Sequence, residues 1–175
     1  MVKVIILVIV IFFNSLTAFC EEPKAHVVKV GDSINRIADK HNILAWQLRK
    51  ANGMGSKDKL IHPGQKLLIP EVQWKAYNGR ASWYGPGFHG KKMANGKIYD
   101  QNQILVAHRT LPLGLRVKIT NLNNNKSLEA LILDRGPYTI INGKYDREVD
   151  LSFKAAKLLG AVKQGVIPVK ITPLN

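Results

Sequence analysis

Ala130-Leu131-Ile132-Leu133-Asp134-Arg135-Gly136-Pro137 reads as a half-buried strand that carries a carboxyl group to its end and stops at a turn. That strand begins at Ser127, and four more brief, β-rich segments surround it at 81–84, 104–108, 115–120 and 166–172. Gly85-Pro86-Gly87, Pro112-Leu113-Gly114 and the Asn-rich run 121–125 separate them. Short strands with turn chemistry at every joint predict a small β-barrel. One helix intrudes: Ser152 is placed to cap a run with Phe153, Ala156, Leu158 and Leu159, and Gly160 ends it.

Upstream, residues 71–78 mix polar and aromatic side chains without a period, which predicts a linker between a first domain at 26–70 and the barrel at 79–175. The first domain reads as βααβ. A strand at 26–30 turns at Gly31-Asp32-Ser33, and Ser33 or Asp32 caps a helix whose positions Ile34, Ile37, Ala38 and His41 share one face. A second helix carries Ala45, Leu48 and Ala51 and stops at Asn52-Gly53. After a polar loop, residues 64–70 form a strand closed by Pro70. The fold class expected is therefore mainly β, with a small α+β domain in front.

At the N-terminus, Lys3 precedes ten unbroken apolar residues, Val4 to Phe13, followed by polar and then small side chains. A membrane-spanning helix needs about 20 apolar residues. Residues 1–20 therefore read as a secretory signal peptide and place the protein in the periplasm or outside the cell. Cys20 is the one cysteine, so no internal disulfide framework is available. It is a candidate lipidation site, although the bulky Phe19 before it makes simple secretion the better reading.

The chain has 26 Lys and Arg against 12 Asp and Glu in 175 residues, a formal charge of +14. The excess is spread: nine basic against three acidic residues in 24–70, and fifteen against six from 79 onward. No basic cluster points to a specific nucleic-acid partner, and attraction to anionic wall polymers or membrane surfaces explains the charge more simply. The five histidines lack close ligand spacing, so no metal or other cofactor is expected. A monomer is expected.

Two sets of motifs carry a resemblance. Val28-x-x-Gly31-Asp32-Ser33-Ile34, Ile37-Ala38, Leu48, Asn52 and Gly64-x-x-Leu67-x-Ile69-Pro70 are similar to the LysM module. That resemblance implies binding of N-acetylglucosamine-containing glycans by Gly31, Asp32, Ser33 and Ile34 on one side of a shallow groove and Leu60, Ile61 and His62 on the other. Downstream, Ala81-Ser82-Trp83-Tyr84-Gly85, Phe88-His89-Gly90, Ala94-Asn95-Gly96, residues 107–112, Asp134-Arg135-Gly136-Pro137 and Asp150-Leu151-Ser152 together resemble the rare lipoprotein A family. The resemblance implies a six-stranded double-psi β-barrel and cleavage of peptidoglycan strands, stem-free ones included, to 1,6-anhydro-muramic ends without water. The chain runs to Asn175, which leaves no room for the C-terminal wall-binding repeat of some relatives. The front module is expected to supply that tethering.

Such a cleavage needs a carboxylic acid to protonate the leaving oxygen and a base to take the proton of the sugar's own C6 hydroxyl. The resemblance makes Asp134 the acid, with Asp150 and His108 as further catalytic candidates. Trp83, Tyr84, Asn95, Gly96, Lys97 and Arg135 are the candidate substrate contacts. For each a structural alternative stands: Asp134 as a turn carboxylate, Asp150 as a helix cap, His108 as a buried structural ring, Trp83 or Tyr84 as core. Lys97 occupies a position where the family usually has Glu. This opens a second reading, a non-catalytic, expansin-like protein that binds or loosens the wall through the same cleft.

Overall fold

The computed structural model describes residues 23–56 and 60–174, so the signal-peptide reading and Cys20 lie outside the described residues. The first module pairs β1 (Ala25–Val27) with β2 (Lys66–Leu68) antiparallel, with α1 (Ile34–Lys40) and α2 (Ala45–Ala51) between them. Ser33 Oγ accepts the Arg36 N–H at 3.3 Å, so Ser33 rather than Asp32 caps α1. Val28, Ile34, Ile37, Leu48 and Leu67 form a closed core of their own. Asn52 ties the end of α2 to β2: its Oδ1 accepts the Leu68 N–H at 2.8 Å, and its Nδ2 donates to the Leu68 carbonyl at 2.9 Å. Both strands are three residues long, shorter than the apolar pattern alone predicts.

The second module is a closed six-stranded barrel. Its strands are β3 (Tyr77–Trp83), β4 (Leu105–His108), β5 (Arg116–Asn121), β6 (Ser127–Asp134), β9 (Val149–Leu151) and β10 (Ile167–Leu174), joined in the order β10-β3-β9-β4-β6-β5. The pairs β3–β9 and β4–β6 are parallel and the others antiparallel. A small hairpin, β7 (Ile140–Ile141) with β8 (Lys144–Tyr145), projects between β6 and β9. The helix α3 (Phe153–Leu159) is capped by Ser152, whose Oγ accepts the Ala155 N–H, and closed by Gly160.

The core of the barrel is aliphatic: Val106, Val117, Ile119, Ile132, Val149, Leu151, Ile167, Val169 and Ile171 interdigitate. Strand β9 escaped the pattern reading because three residues with a central Asp give too short an alternation to register. It is the strand that closes the barrel between β3 and β4, and it brings Asp150 with it.

The modules touch. The Leu113 N–H donates to Asp39 Oδ1 of α1 at 3.0 Å, the Arg135 guanidinium lies 3.7 Å from the same oxygen, and the Trp74 indole N–H donates to the Asn42 carbonyl at 3.1 Å.

Candidate active site

Register brings two carboxyl groups together. On β4, Ala107 pairs with Asp150 of antiparallel β9 on one side and with Asp134 of parallel β6 on the other. Residues opposite one another share a face, so both carboxyl groups flank the small methyl of Ala107. At the usual inter-strand spacing their backbones are roughly 10 Å apart. On β9 the neighbours Val149 and Leu151 point into the core, which turns Asp150 outward. On β6 the same alternation would send Asp134 inward after Leu133. A register shift between Val106 and Ala107 prevents this: Val106 pairs with Ile132, but Ala107 skips Leu133 and pairs with Asp134. The irregularity re-aims the carboxyl group to the outer face.

Asp134 is half-buried and accepts three hydrogen bonds. The Tyr84 hydroxyl donates to Oδ2 at 2.7 Å, and the Ala94 and Arg135 N–H groups both donate to Oδ1 at 2.8 Å. Among the described residues no cation forms an ion pair with it. Burial, and then the bond to Asp134, push the Tyr84 phenol far up, so the hydroxyl stays a donor. Its ring packs on Phe88 and Tyr99, and Met93, Tyr99 and Leu105 floor the site.

Asp150 is hydrogen-bonded by the Ser82 hydroxyl, its direct partner across the parallel β3–β9 ladder. Burial holds this carboxyl above the ordinary carboxylate range. The Ser82 bond opposes that shift and the nearby Asp134 charge adds to it. One carboxyl of the pair is thus biased toward keeping its proton.

His108 is one residue beyond Ala107 on β4 and therefore on the opposite face, 3% exposed. Its Nδ1 accepts the Thr110 and Leu111 N–H groups at 3.1 and 2.9 Å, and its Nε2 lies 2.7 Å from the Tyr77 hydroxyl. Two backbone donors on Nδ1 assign the proton to Nε2. Burial, with Arg109 and Arg135 nearby, pushes the ring down to about 4, so it is neutral at physiological pH. Both nitrogens are occupied and neither meets Asp134; His108 braces the loop behind the site. Arg135 does likewise, donating to the carbonyls of His108 at 3.1 Å and Leu111 at 2.5 Å.

A family model described as "Lytic transglycolase" matches residues 76–171, and a LysM domain model matches residues 26–70. Over 178 aligned residues the chain is 36% identical to the "Endolytic peptidoglycan transglycosylase RlpA" of Rickettsia bellii, covering 99% of this chain and 74% of that protein. The chain belongs to the RlpA family. It is 45% identical to the RlpA of Pseudomonas aeruginosa strain UCBPP-PA14 over 63% of this chain and 31% of that longer protein. Among solved structures, an apo Clavibacter michiganensis expansin is similar over 58% of this chain and 51% of that chain, with 22% identity and a TM-score of 0.43.

The rest of the RlpA motif residues fall into place around the pair. Asn95, Gly96 and Lys97 form a tight turn: the Lys97 N–H donates to Asn95 Oδ1 at 3.0 Å, and Gly96 takes the left-handed φ of +87° that the turn requires. The Asn95 N–H meets the Leu133 carbonyl at 3.3 Å, which seats the turn against β6. Lys97 is exposed and, among the described residues, pairs with no carboxylate. Trp83 packs on Phe153 at 5.6 Å and against the barrel core, so it is wall more than stacking platform. Exposed aromatic surface near the pair comes instead from Phe88 and Tyr138.

Sequence reasoning missed Ser82 as the partner of Asp150, the Ala94 N–H on Asp134, and Ala107 as the spacer. None has a local signal, because each is defined by a strand or loop distant in sequence.

In the LysM module, Gly31 adopts φ +85° and Asp32 is a brace: its Oδ2 accepts the Lys29 N–H at 2.9 Å and lies 2.9 Å from His26 Nε2. His26 in turn meets His41 Nε2 at 3.1 Å. Ile34 is core, and Ile61 packs on its edge. Leu60 and His62 are exposed, leaving them with Gly31 and Ser33 as the open part of the expected groove. A concavity of about 680 Å³ lies elsewhere, between Lys24, His41 and the start of the linker at Glu71 and Val72.

Proposed function

We propose that this protein is an endolytic peptidoglycan lytic transglycosylase in which the Asp134–Asp150 pair supplies and recovers one proton. The observation that carries this reading is the pairing of both carboxyl groups with Ala107, one of them, Asp150, raised above the ordinary carboxylate range by burial and by its neighbour. Asp134, the group beside the open groove lined by Ala94 and Arg135, faces the glycan. A proton passes from the pair to the bridging glycosidic oxygen, and the bond from that oxygen to C1 of the muramic residue breaks. The C6 hydroxyl oxygen of the same sugar then bonds to C1 and its proton returns to the pair. No water enters the products, and the attacking group is already tethered to the reacting sugar. Tyr84 and the two N–H donors hold the Asp134 carboxyl in one orientation throughout.

Among the described residues Lys97 forms no ion pair with Asp134, so the ammonium in the family's usual Glu position does not engage the proposed acid. The front module holds the same strands through its shallow groove, raising the effective concentration of substrate at the barrel. Export by the N-terminal segment puts the protein where that substrate is, and the intact mass of the mature protein reads both cleavage and any lipid on Cys20.

Digests of purified stem-free strands analysed by mass spectrometry test the chemistry. The wild-type protein is expected to yield 1,6-anhydro ends, and Asp134→Asn to lose them by about 1,000-fold with an unchanged circular dichroism spectrum. Strands bound but never cut by the wild type would leave the wall-loosening reading instead.

A further inference from the structure

Between the two modules lies a groove of about 390 Å³, lined from one side by Asn35, Asp39 and Ala45 and from the other by Ala94, Thr110 and Arg135. That volume is within the usual range of ligand sites, about 300–1,000 Å³. Two of its residues, Ala94 and Arg135, are the ones whose N–H groups hold Asp134. The groove therefore shares two of its walls with the hydrogen-bonding shell of Asp134. Contacts cross the junction beside it: the Leu113 N–H donates to Asp39, the Arg135 guanidinium lies 3.7 Å from the same carboxylate, and the Trp74 indole donates to the Asn42 carbonyl.

We propose that this groove is a composite glycan subsite, so that a strand gripped at Asp134 continues along α1 of the LysM module. The inference rests on the transglycosylase reading above and extends it. The lining chemistry suits a neutral sugar. Asn35 offers an amide, Thr110 a hydroxyl and Arg135 a guanidinium for hydroxyl and acetamido groups, while Ala45 and Ala94 offer methyl surface. Asp39 accepts from the Leu113 N–H and lies 3.7 Å from the Arg135 guanidinium, whose bonds to the His108 and Leu111 carbonyls orient it, so it is partly neutralised rather than free to seek an anion. This face of α1 is not the one expected to bind glycan in the isolated module, which is built from the turn at Gly31–Ser33 and the loop at Leu60–His62. The front module thus has two roles, as a tether through one surface and as a wall of the active-site cleft through another.

Asn35 is exposed on α1 and lines the groove, so Asn35→Trp fills it from the LysM side. Lys40→Trp, on the same helix but outside the groove, is the control. In the full-length protein the KM for long stem-free strands is expected to rise about fivefold or more in Asn35→Trp, the equivalent of one good contact. The rise for a tetrasaccharide that spans only the barrel cleft is expected to be smaller. Thr110→Trp, entering from the barrel wall, should reproduce the effect and replaces the first variant if that one does not fold. Equal changes for long and short substrates, or none in either variant, overturn the proposal.

If the wild type forms no anhydro ends, the transglycosylase reading fails by itself. The subsite is then read from the affinity for long strands by calorimetry, where a loss in Asn35→Trp but not Lys40→Trp supports it and equal affinity overturns it.

Discussion

Asp32 in the LysM module and Asp150 in the barrel are the same side chain pushed in opposite directions. The hydrogen bond to His26, and then the Lys29 N–H, lower the Asp32 carboxyl below its ordinary value. Burial raises that of Asp150, with the Asp134 charge adding to the shift. The partners of Asp32 lie within six residues, and the result is a stiff turn. Those of Asp150 come from β3, 68 residues away, and from β6 across the sheet, and the result is a carboxyl group raised above its ordinary range. A carboxyl group satisfied locally stabilises; one surrounded by distant strands is available for chemistry.

The sharpest way to break this comparison is to neutralise each carboxyl group. Asp150→Asn should reduce the formation of 1,6-anhydro ends by about 100-fold or more. It should also raise the melting temperature at pH 7, because of the sign of the linkage. With its folded pKa raised, Asp150 contributes stability below its unfolded value near 3.8 and loses it as pH rises through the folded value. Asp32 has the reverse sign: its contribution is present above 3.8 and is lost as pH falls through its lowered value. Asp32→Asn should therefore lower the melting temperature at pH 7, with the deficit closing in acid. Two shifts of the same sign in scanning calorimetry would sink the contrast.

His108 gives the next largest effect. A ring moved from 6.5 down to about 4 contributes roughly 3 kcal/mol above pH 6.5 that is lost as pH falls to about 4. Urea unfolding across that window should show this slope in the wild type and a flatter one in His108→Gln. Ser82→Ala is subtler. Removing the bond that favours ionised Asp150 should move the alkaline limb of the activity profile to higher pH, measured as kcat/KM against pH. The smallest effect is expected at Lys97, exposed and unpaired among the described residues, where Lys97→Glu should change stability by no more than about 0.5 kcal/mol by chemical denaturation.

Much of the architecture was legible along the chain. The caps at Ser33 and Ser152, the stops at Asn52-Gly53 and Gly160, and the strand ending at Asp134 all rest on contacts within a few residues, and local pattern reports local contacts. Strand β9 was not legible, because three residues around a central aspartate show no period. The motif sets placed Asp134, Asp150 and Tyr84 near one another, but nothing in them distinguished His108, whose ring faces the other side of β4, from the residue beside it that faces the carboxyl pair.

By itself the sequence determined two modules, a β-rich barrel with one helix, a charge spread over both, and a carboxyl group at a strand end, since hydrophobic period and turn chemistry are properties of short stretches. The tertiary structure alone decided that burial raises Asp150, which histidine is locked away, and that a groove lies between the modules beside Ala94 and Arg135. Those outcomes depend on register, on one bulge in β4–β6 pairing, and on contacts between residues far apart in the chain. The energies involved exist only once distant strands have excluded water from the space between them.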